Sequence, residues 1–169
     1  MTNTQSRIYV GTYGKYNSGS IEGAWLDLED YSDAETFADA CQELHGPGEH
    51  EFMFQDWENI PEGMITESSL SADYWEWAEM SDNEKELLSV YRAHVYSEGT
   101  LEQAQYADSG RYASPEAWAE EFLADTGGLD EIPPHLRCYF DYTAYARDAR
   151  YKGMVFAEHD GDIWVFQTN

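Results

Sequence analysis

Residues 7–28 read RIYVGTYGKYNSGSIEGAWLDL, in which two segments rich in β-branched and aromatic residues flank a polar, glycine-containing loop. This composition is typical of β-strands joined by a turn. The sequence therefore predicts strands over residues 7–13 and 21–28, with GKYNSGS as the turn-forming loop between them.

A helix is expected after these strands. Ser32 stands at its predicted start with Glu35 three residues later, which is the pattern of a capping box. Phe37, Cys41 and Leu44 then recur at helical spacing, so we expect them to form one buried stripe. HGPGEH ends this helix, and EFMFQDW predicts a third strand.

The middle of the chain is predicted to be helical. YWEWAEM and LEQAQYA have helical spacing, and SDNEKELLSVYRAHVY between them opens with a second capping box, formed by Ser81 and Glu84. The expected apolar stripe of this longer helix consists of Leu87, Leu88, Tyr91 and Val95.

The last third mixes helices and strands. In SPEAWAEEFLADTGG, Ser114 is the predicted N-cap, Pro115 the first helical residue and Gly127 the C-terminal stop. Its inward-facing residues are expected to be Trp118, Phe122 and Leu123. Near the end, MVFAEHDGDIWVFQ predicts a β-hairpin that turns at Asp160-Gly161.

These elements predict an α+β fold made of small subdomains. We expect a small antiparallel sheet with a helix over residues 1–61, a helical part over 62–107, and a mixed sheet-and-helix part over 108–169.

Charge dominates the composition. The chain has 34 acidic and 9 basic side chains, a net charge of −25, yet also 6 Trp, 13 Tyr and 7 Phe, enough to build packed cores. Disorder is therefore not expected. Direct binding to nucleic acid or to an anionic membrane is excluded by repulsion, and a basic partner is expected. The alternative is a soluble protein that is simply acidic or adapted to high salt.

The charge is unevenly distributed. Residues 1–131 hold 29 acidic and 5 basic side chains, whereas residues 132–169 hold 5 and 4. The segment GGLDEIPPHLRCYFDYTAYARD, residues 127–148, spans this boundary and is rich in aromatic residues.

Cellular location and redox state follow from what the sequence lacks. It has no apolar run long enough to span a membrane and no recognisable secretory signal, so we expect a cytoplasmic protein. Cys41 and Cys138 are accordingly expected to be buried free thiols, with a single disulfide as the alternative.

Catalytic and metal-binding motifs are also missing. The sequence contains no HExxH, Walker, GxSxG or dinucleotide pattern, so no catalytic residue, cofactor or metal is predicted. HDGD at 159–162 lacks the alternating ligands of an EF-hand and is interpreted as a hairpin turn. Among 34 acids some pair reaches catalytic separation by chance, so an acidic hydrolase remains an alternative.

The acidic residues repeat at helical spacing. Glu35, Asp39 and Glu43 lie four residues apart on one face, and Glu116/Glu120 and Glu121/Asp125 do the same. Like charges at this spacing destabilise a helix by about 0.2–0.5 kcal/mol per pair. Their presence despite this cost suggests that the negative charge has a function of its own. A merely solvated face is the alternative. At about one charge per 1.7 Å of B-DNA, 34 carboxylates correspond to roughly 17 base pairs.

Three segments carry a family resemblance. YVGTYGKYNSGSIEGAWLDL, MFQDWENIPEGM and ADTGGLDEIPPHLRCYFDYTAYARD together resemble the ArdA antirestriction family over residues 8 to about 150. The resemblance implies a DNA mimic, carried on mobile elements, that occupies the DNA-binding groove of type I restriction–modification enzymes and blocks cleavage and modification. It also implies an elongated, curved monomer of three subdomains that forms a homodimer through its C-terminal part. An acidic inhibitor or chaperone of another basic DNA-binding protein is the alternative.

Two sets of residues are expected to carry this function. The acidic surface that would imitate DNA comprises Asp27, Glu29, Asp30, Asp33, Glu35, Asp39, Glu43, Glu58, Glu62, Asp73, Glu76, Glu79, Asp82, Glu86, Glu116, Glu120, Glu121 and Asp125. The dimer interface comprises Ile132, Pro133, Leu136, Tyr139, Phe140, Tyr142 and Tyr145, for which core packing is the alternative.

Overall fold

The computed structural model describes residues 4–169, which form two compact units, one ending at Met80 and the other beginning at Ser81. Each unit contains a three-stranded antiparallel sheet, and helices accompany both sheets. The predicted α+β class is thus confirmed. The finer division into three subdomains remains a prediction. Within residues 4–169, no helix combines the length and apolar character needed to cross a membrane.

The first sheet is built around its earliest strand. β1 (Arg7–Thr12) lies between β2 (Ala24–Asp27) and β3 (Phe52–Glu58), and Ile8 and Val10 on β1 are fully buried. All three predicted strands are confirmed, although β2 begins three residues later than expected.

The loop between β1 and β2 is not irregular throughout. Residues Tyr13–Asn17 form a short helix, α1, in place of the predicted turn. Its start is capped by the Thr12 hydroxyl, which accepts a hydrogen bond from the Lys15 amide at 3.1 Å. The prediction was wrong here because the threonine was assigned only to the strand, whereas its side chain also caps a helical turn.

The next helix, α2 (Ala34–His45), begins one residue later than predicted. Asp33, not Ser32, is the N-cap, and its carboxylate accepts a hydrogen bond from the Thr36 amide at 2.8 Å. Thr36 completes the capping box by accepting from the Asp33 amide, the role predicted for Glu35. Both serine and aspartate are good N-caps, so the sequence pattern alone does not distinguish the two registers.

The buried stripe of α2 is also shorter than expected. Phe37 and Cys41 are buried, but Leu44 is 37% exposed. Phe37 packs against Phe54 of β3 and against Tyr31 and Trp75, with ring centroids 5.6–6.2 Å apart. The core of the first unit consists of Ile8, Val10, Leu28, Phe37, Cys41, Phe54, Met64, Ile65 and Tyr74.

Three helices occupy the middle of the chain: α3 (Asp73–Glu79), α4 (Asp82–His94) and α5 (Leu101–Ala107). The capping box of α4 is confirmed, since the Ser81 hydroxyl accepts from the Glu84 amide and the Glu84 carboxylate accepts from the Ser81 amide. Within the predicted stripe of α4, Leu87, Leu88 and Tyr91 are buried and Val95, the C-cap, is half-buried.

The second sheet contains the predicted hairpin. β5 (Met154–His159) and β6 (Asp162–Gln167) pair in antiparallel register, and β4 (Asp108–Tyr112) flanks β6. Asp160 and Gly161 at the turn have φ of 50° and 85°, the left-handed conformation that Asp-Gly favours in tight hairpins.

Two helices belong to the core of this sheet. α6 (Pro115–Thr126) starts at the Ser114 cap and stops at Gly127, which has a φ of 68°, as predicted. Trp118 and Leu123 are buried, whereas Phe122 is 40% exposed and only stacks against Trp118 at 5.1 Å between centroids. The inward position predicted for Phe122 is therefore wrong.

The aromatic segment after α6 has two parts. A 3-10 helix (Pro134–Tyr139) begins at the paired prolines, and α7 (Tyr142–Ala149) follows with Asp141 as its N-cap. The core cluster around α6 and α7 consists of Trp118, Ala119, Ala146, Ala149 and Val165.

The two cysteines are free, but they lie in different environments. Cys41 is buried in the first core, and burial raises the pKa of its thiol to about 12. Cys138 is exposed on the 3-10 helix, so the expectation that both thiols are buried is wrong for this residue. No residue of this 3-10 helix is buried, so the apolar pattern of the segment did not indicate a core position.

Candidate functional site: an acidic surface

Most of the predicted acidic residues face solvent. Asp27, Glu58, Glu86 and Glu116 are half-buried. The other fourteen are exposed, namely Glu29, Asp30, Asp33, Glu35, Asp39, Glu43, Glu62, Asp73, Glu76, Glu79, Asp82, Glu120, Glu121 and Asp125.

On α2 the carboxylates form a row. Glu35, Asp39 and Glu43 are exposed, while Phe37 and Cys41 of the same helix are buried in the core. Four residues of α-helix rise about 6 Å, so this row spans about 12 Å. The row can therefore present three negative charges at regular spacing from a single helix.

The carboxylates of α6 form a second set. Glu120, Glu121 and Asp125 are exposed and Glu116 is half-buried, whereas Trp118 anchors the helix in the core. Among the described residues, no ion pair joins any of these four acids to a basic side chain.

The acidic residues raise the pKa of nearby tyrosines. Burial raises the pKa of Tyr112, and the carboxylates of Glu121 and Asp125 raise it further. In the first unit, burial likewise raises the pKa of Tyr31, with Asp30 adding to the effect. A neighbouring negative charge disfavours the negatively charged phenolate and so raises the pKa of the tyrosine hydroxyl.

Several of the predicted acids already have partners within the chain, including Glu29, which accepts a hydrogen bond from Gln5 Nε2 at 3.2 Å. Asp33 caps α2, and Glu58 accepts a hydrogen bond from Arg7 Nε at 2.8 Å, which lowers the pKa of the Glu58 carboxyl. Glu86 on α4 lies 3.2 Å from His159 Nε2. These carboxylates are consequently less available to a partner than the rows on α2 and α6.

Several basic side chains are used to hold their own unit together. Arg92 Nε donates to the Gly99 carbonyl at 2.8 Å, closing the loop after α4. Arg137 Nε donates to the Ile132 carbonyl at 2.9 Å and so fixes the turn before the 3-10 helix. These guanidinium groups satisfy backbone carbonyls instead of neutralising the acidic helices.

Other cations lie against aromatic rings. The Arg111 guanidinium is 3.6 Å from the ring centroid of Trp164, and that of Arg7 is 4.5 Å from Trp25. Such cation–π contacts stabilise the sheets, and of these two arginines Arg7 also pairs with the Glu58 carboxylate. The Arg111 contact helps the chain to keep a high density of unpaired negative charge.

The predicted dimer residues divide into two groups. Phe140, Tyr142 and Tyr145 are half-buried, with the Phe140 ring centroid 5.1 Å from Tyr142 and 6.0 Å from Tyr145. Tyr142 and Tyr145 also pack on the core of the second unit. These three residues therefore have a packing role within the chain, which was the alternative considered from the sequence.

The remaining residues of the predicted dimer interface are more exposed. Tyr139 is 81% exposed and Leu136 is 45% exposed, both on the 3-10 helix. Pro133 is exposed and Ile132 is half-buried. If this segment associates with a second chain, the 3-10 helix offers the apolar surface for it.

Several aromatic residues outside the predicted dimer interface are also exposed, two of them almost completely. Tyr106 on α5 is 90% exposed and Tyr151 after α7 is 87% exposed. Helical spacing could have indicated Tyr106, because Ala104 and Ala107 beside it are the buried members of α5.

A shallow cavity of about 330 Å³ lies beside α5. It is lined by Tyr91, Tyr106 and the end of β6, with Glu102 as the acidic side chain in its wall. This cavity does not bring together the pair of carboxylates that glycoside hydrolysis requires.

Comparison with known proteins identifies the chain. No curated protein matches it significantly. The family model for the ArdA antirestriction protein, however, matches residues 8–163 and so covers both units. The match includes the acidic helices α2 and α6, the aromatic segment and most of the final hairpin. The chain belongs to the ArdA antirestriction protein family.

Proposed function

We propose that this protein is a stoichiometric DNA mimic that occupies the DNA-binding groove of type I restriction–modification enzymes. It would thereby block cleavage, and also methylation, of DNA. The observation that carries the proposal is the exposed rows of carboxylates on α2 and α6, combined with basic side chains engaged in internal contacts.

Electrostatics explains how such a surface competes with DNA. A groove lined with lysine and arginine gains much of its affinity by neutralising phosphates and releasing counterions. Carboxylates held on capped helices can also pair with these basic side chains and contribute the same electrostatic affinity. Unlike DNA, they offer no nucleobase and no phosphodiester backbone that could be cleaved. Because α2 and α6 are ordered before binding, little conformational entropy is lost on association.

The proposal includes a cytoplasmic homodimer encoded on a mobile element and acting by occupancy of the groove, without catalysis. Two chains that each carry a charge of −25 repel one another, so association is easiest where the charge is low. Residues 132–169 have a net charge of −1 and contain the exposed Tyr139 and Leu136. We therefore assign the contact to the 3-10 helix.

A competition experiment tests the proposal. Purified protein is titrated against a type I restriction enzyme, and DNA binding, cleavage and methylation are measured at several salt concentrations. We expect all three activities to fall with near-stoichiometric protein, and the inhibition to weaken steeply as salt rises. Unchanged DNA binding at low salt and excess protein would contradict the proposal.

The same preparation distinguishes the alternative partner. If the protein acts on another basic DNA-binding protein, capture from cytoplasm recovers that protein and no restriction subunit. A single Asp or Glu substitution that abolishes inhibition without unfolding the chain would instead favour a catalytic site, because a mimic distributes its affinity over many charges.

A further inference from the structure

A cluster of three potential metal ligands lies where α4 meets the β5–β6 hairpin of the second unit. Glu86 is on α4, His159 ends β5, and Asp160 is the first residue of the turn. One ligand atom from each residue lies within 4.8 Å of the other two. We propose that Glu86, His159 and Asp160 bind a divalent transition-metal ion, with Zn²⁺ as the best-matched probe.

Two of the three ligand separations match those around a tetrahedral ion. His159 Nε2 lies 3.2 Å from Glu86 Oε1 and 3.6 Å from Asp160 Oδ2. Zinc bonds to nitrogen and oxygen of about 2.0–2.1 Å place two tetrahedral ligands about 3.3 Å apart. Both carboxylates thus already stand near the separation from the imidazole nitrogen that a shared ion requires.

The imidazole is also held in position. The His159 ring lies edge to face with Trp164, with centroids 5.5 Å apart and planes at 89°. Trp164 is itself buried at 2% exposure, so the ring rests on a fixed surface. A ligand whose orientation is fixed before binding loses less freedom when the ion arrives.

The donor set suits a transition metal better than a hard cation. Imidazole nitrogen binds zinc well, whereas calcium and magnesium prefer an all-oxygen shell. The Asp160 side chain is 84% exposed, which leaves an open path to solvent and room for water as the fourth ligand. A bound ion would link α4 to the hairpin and would stabilise the second unit by favouring the folded state.

The sequence alone did not predict this site. HDGD was interpreted as a hairpin turn, which the structure confirms, and metal was not expected. Glu86 stands 73 residues before His159, so only the fold brings the third ligand to the turn.

Zinc titration of the full chain tests the site. The Cys138→Ser variant serves as the parent, because the exposed thiol lies three residues from His135 and could itself bind zinc. Calorimetry is performed in excess Mg²⁺, which occupies non-specific carboxylate sites. We expect one saturable Zn²⁺ per chain, a selective shift of the His159 ring resonances in NMR spectra, and a melting temperature that rises with zinc concentration.

Matched variants decide the outcome. His159→Gln should weaken zinc binding by more than about tenfold, because even substitution of residues that only support metal ligands lowers metal affinity that much. His94→Gln should leave zinc binding unchanged. Asp160→Asn should also weaken it, and asparagine tolerates the left-handed φ of the turn, so folding is preserved. Zinc binding equal to the parent in both His159→Gln and Asp160→Asn, or no saturable binding in Mg²⁺, would overturn the proposal.

Discussion

At the scale of single residues, the exposed Tyr139 is the sharpest probe of association. Its side chain is 81% exposed, whereas the neighbouring Phe140 is half-buried against Tyr142 and Tyr145. A change at Tyr139 can therefore remove apolar surface from the proposed dimer contact with little effect on the core.

We expect Tyr139→Ala to convert a dimer into folded monomers, because truncation of a central aromatic residue often costs 2 kcal/mol or more at an interface, as a rough guide. Sedimentation or light scattering at several concentrations measures the change, and circular dichroism checks the fold. Tyr151→Ala, at a site 87% exposed, is the matched control and should leave the size unchanged. Identical masses for the parent and Tyr139→Ala would remove the 3-10 helix from the interface.

A second residue-scale prediction concerns the Arg7–Glu58 pair across β1 and β3. Hydrogen bonding from Arg7 lowers the pKa of the Glu58 carboxyl in the folded state. A lowered folded pKa contributes stability above the unfolded pKa of about 4.3, and this contribution is lost as the pH falls through the folded value.

Glu58→Gln should therefore destabilise the protein at pH 7 and have progressively less effect as the pH drops below about 4. Urea unfolding of both proteins across this range measures the difference in free energy of unfolding. A difference that stays constant with pH would show that the pair contributes nothing through ionisation.

At the scale of elements, α6 combines a buried anchor with an acidic outer face. Trp118 and Leu123 hold the helix, so removal of its surface charge should leave the fold intact. The like charges at i, i+4 even disfavour the helix, and their removal is expected to raise its stability slightly.

The fourfold variant Glu116→Gln, Glu120→Gln, Glu121→Gln and Asp125→Asn should weaken inhibition of a type I enzyme. The slope of log affinity against log salt concentration should also become shallower, by roughly one unit for each carboxylate that faces a basic group of the partner.

Its control removes the same number of charges from scattered exposed sites: Glu98→Gln, Glu102→Gln, Glu131→Gln and Glu158→Gln. Equal losses in the two variants would mean that total charge matters and that the row on α6 has no special role.

At the scale of the whole molecule, the charge of −25 acts on folding and on binding in opposite directions. Self-repulsion destabilises the compact state, whereas attraction to a basic groove would stabilise the proposed complex. Salt screens both interactions.

We therefore expect added NaCl to raise the melting temperature of the free protein while it weakens inhibition of the restriction enzyme. Thermal denaturation and competition assays over the same series of salt concentrations provide the two measurements. A melting temperature that falls with added NaCl would show that internal ion pairs, such as Arg7–Glu58, outweigh the repulsion.

The sequence predicted most strands and helices because they carry strong local signals, such as the Ser114–Pro115 start of α6 and the Asp-Gly turn of the last hairpin, but it missed α1 and β4. The errors occur where two local solutions have similar energies, as with Ser32 and Asp33 before α2. Exposure was harder to predict, since Leu44, Phe122 and Cys138 all lie on apolar patterns but outside the core. The contact between Glu86 and His159 depends on tertiary structure and has no local signal.

The contrast between the two cysteines has a practical consequence. Cys41 is buried with a thiol pKa of about 12, whereas Cys138 is exposed on the same short helix as Tyr139. A maleimide dye should therefore label the unmodified protein at one position, beside the surface to which we assign dimer formation. Self-quenching or energy transfer between dyes on paired chains could then follow assembly and dissociation in real time, without engineering an attachment point.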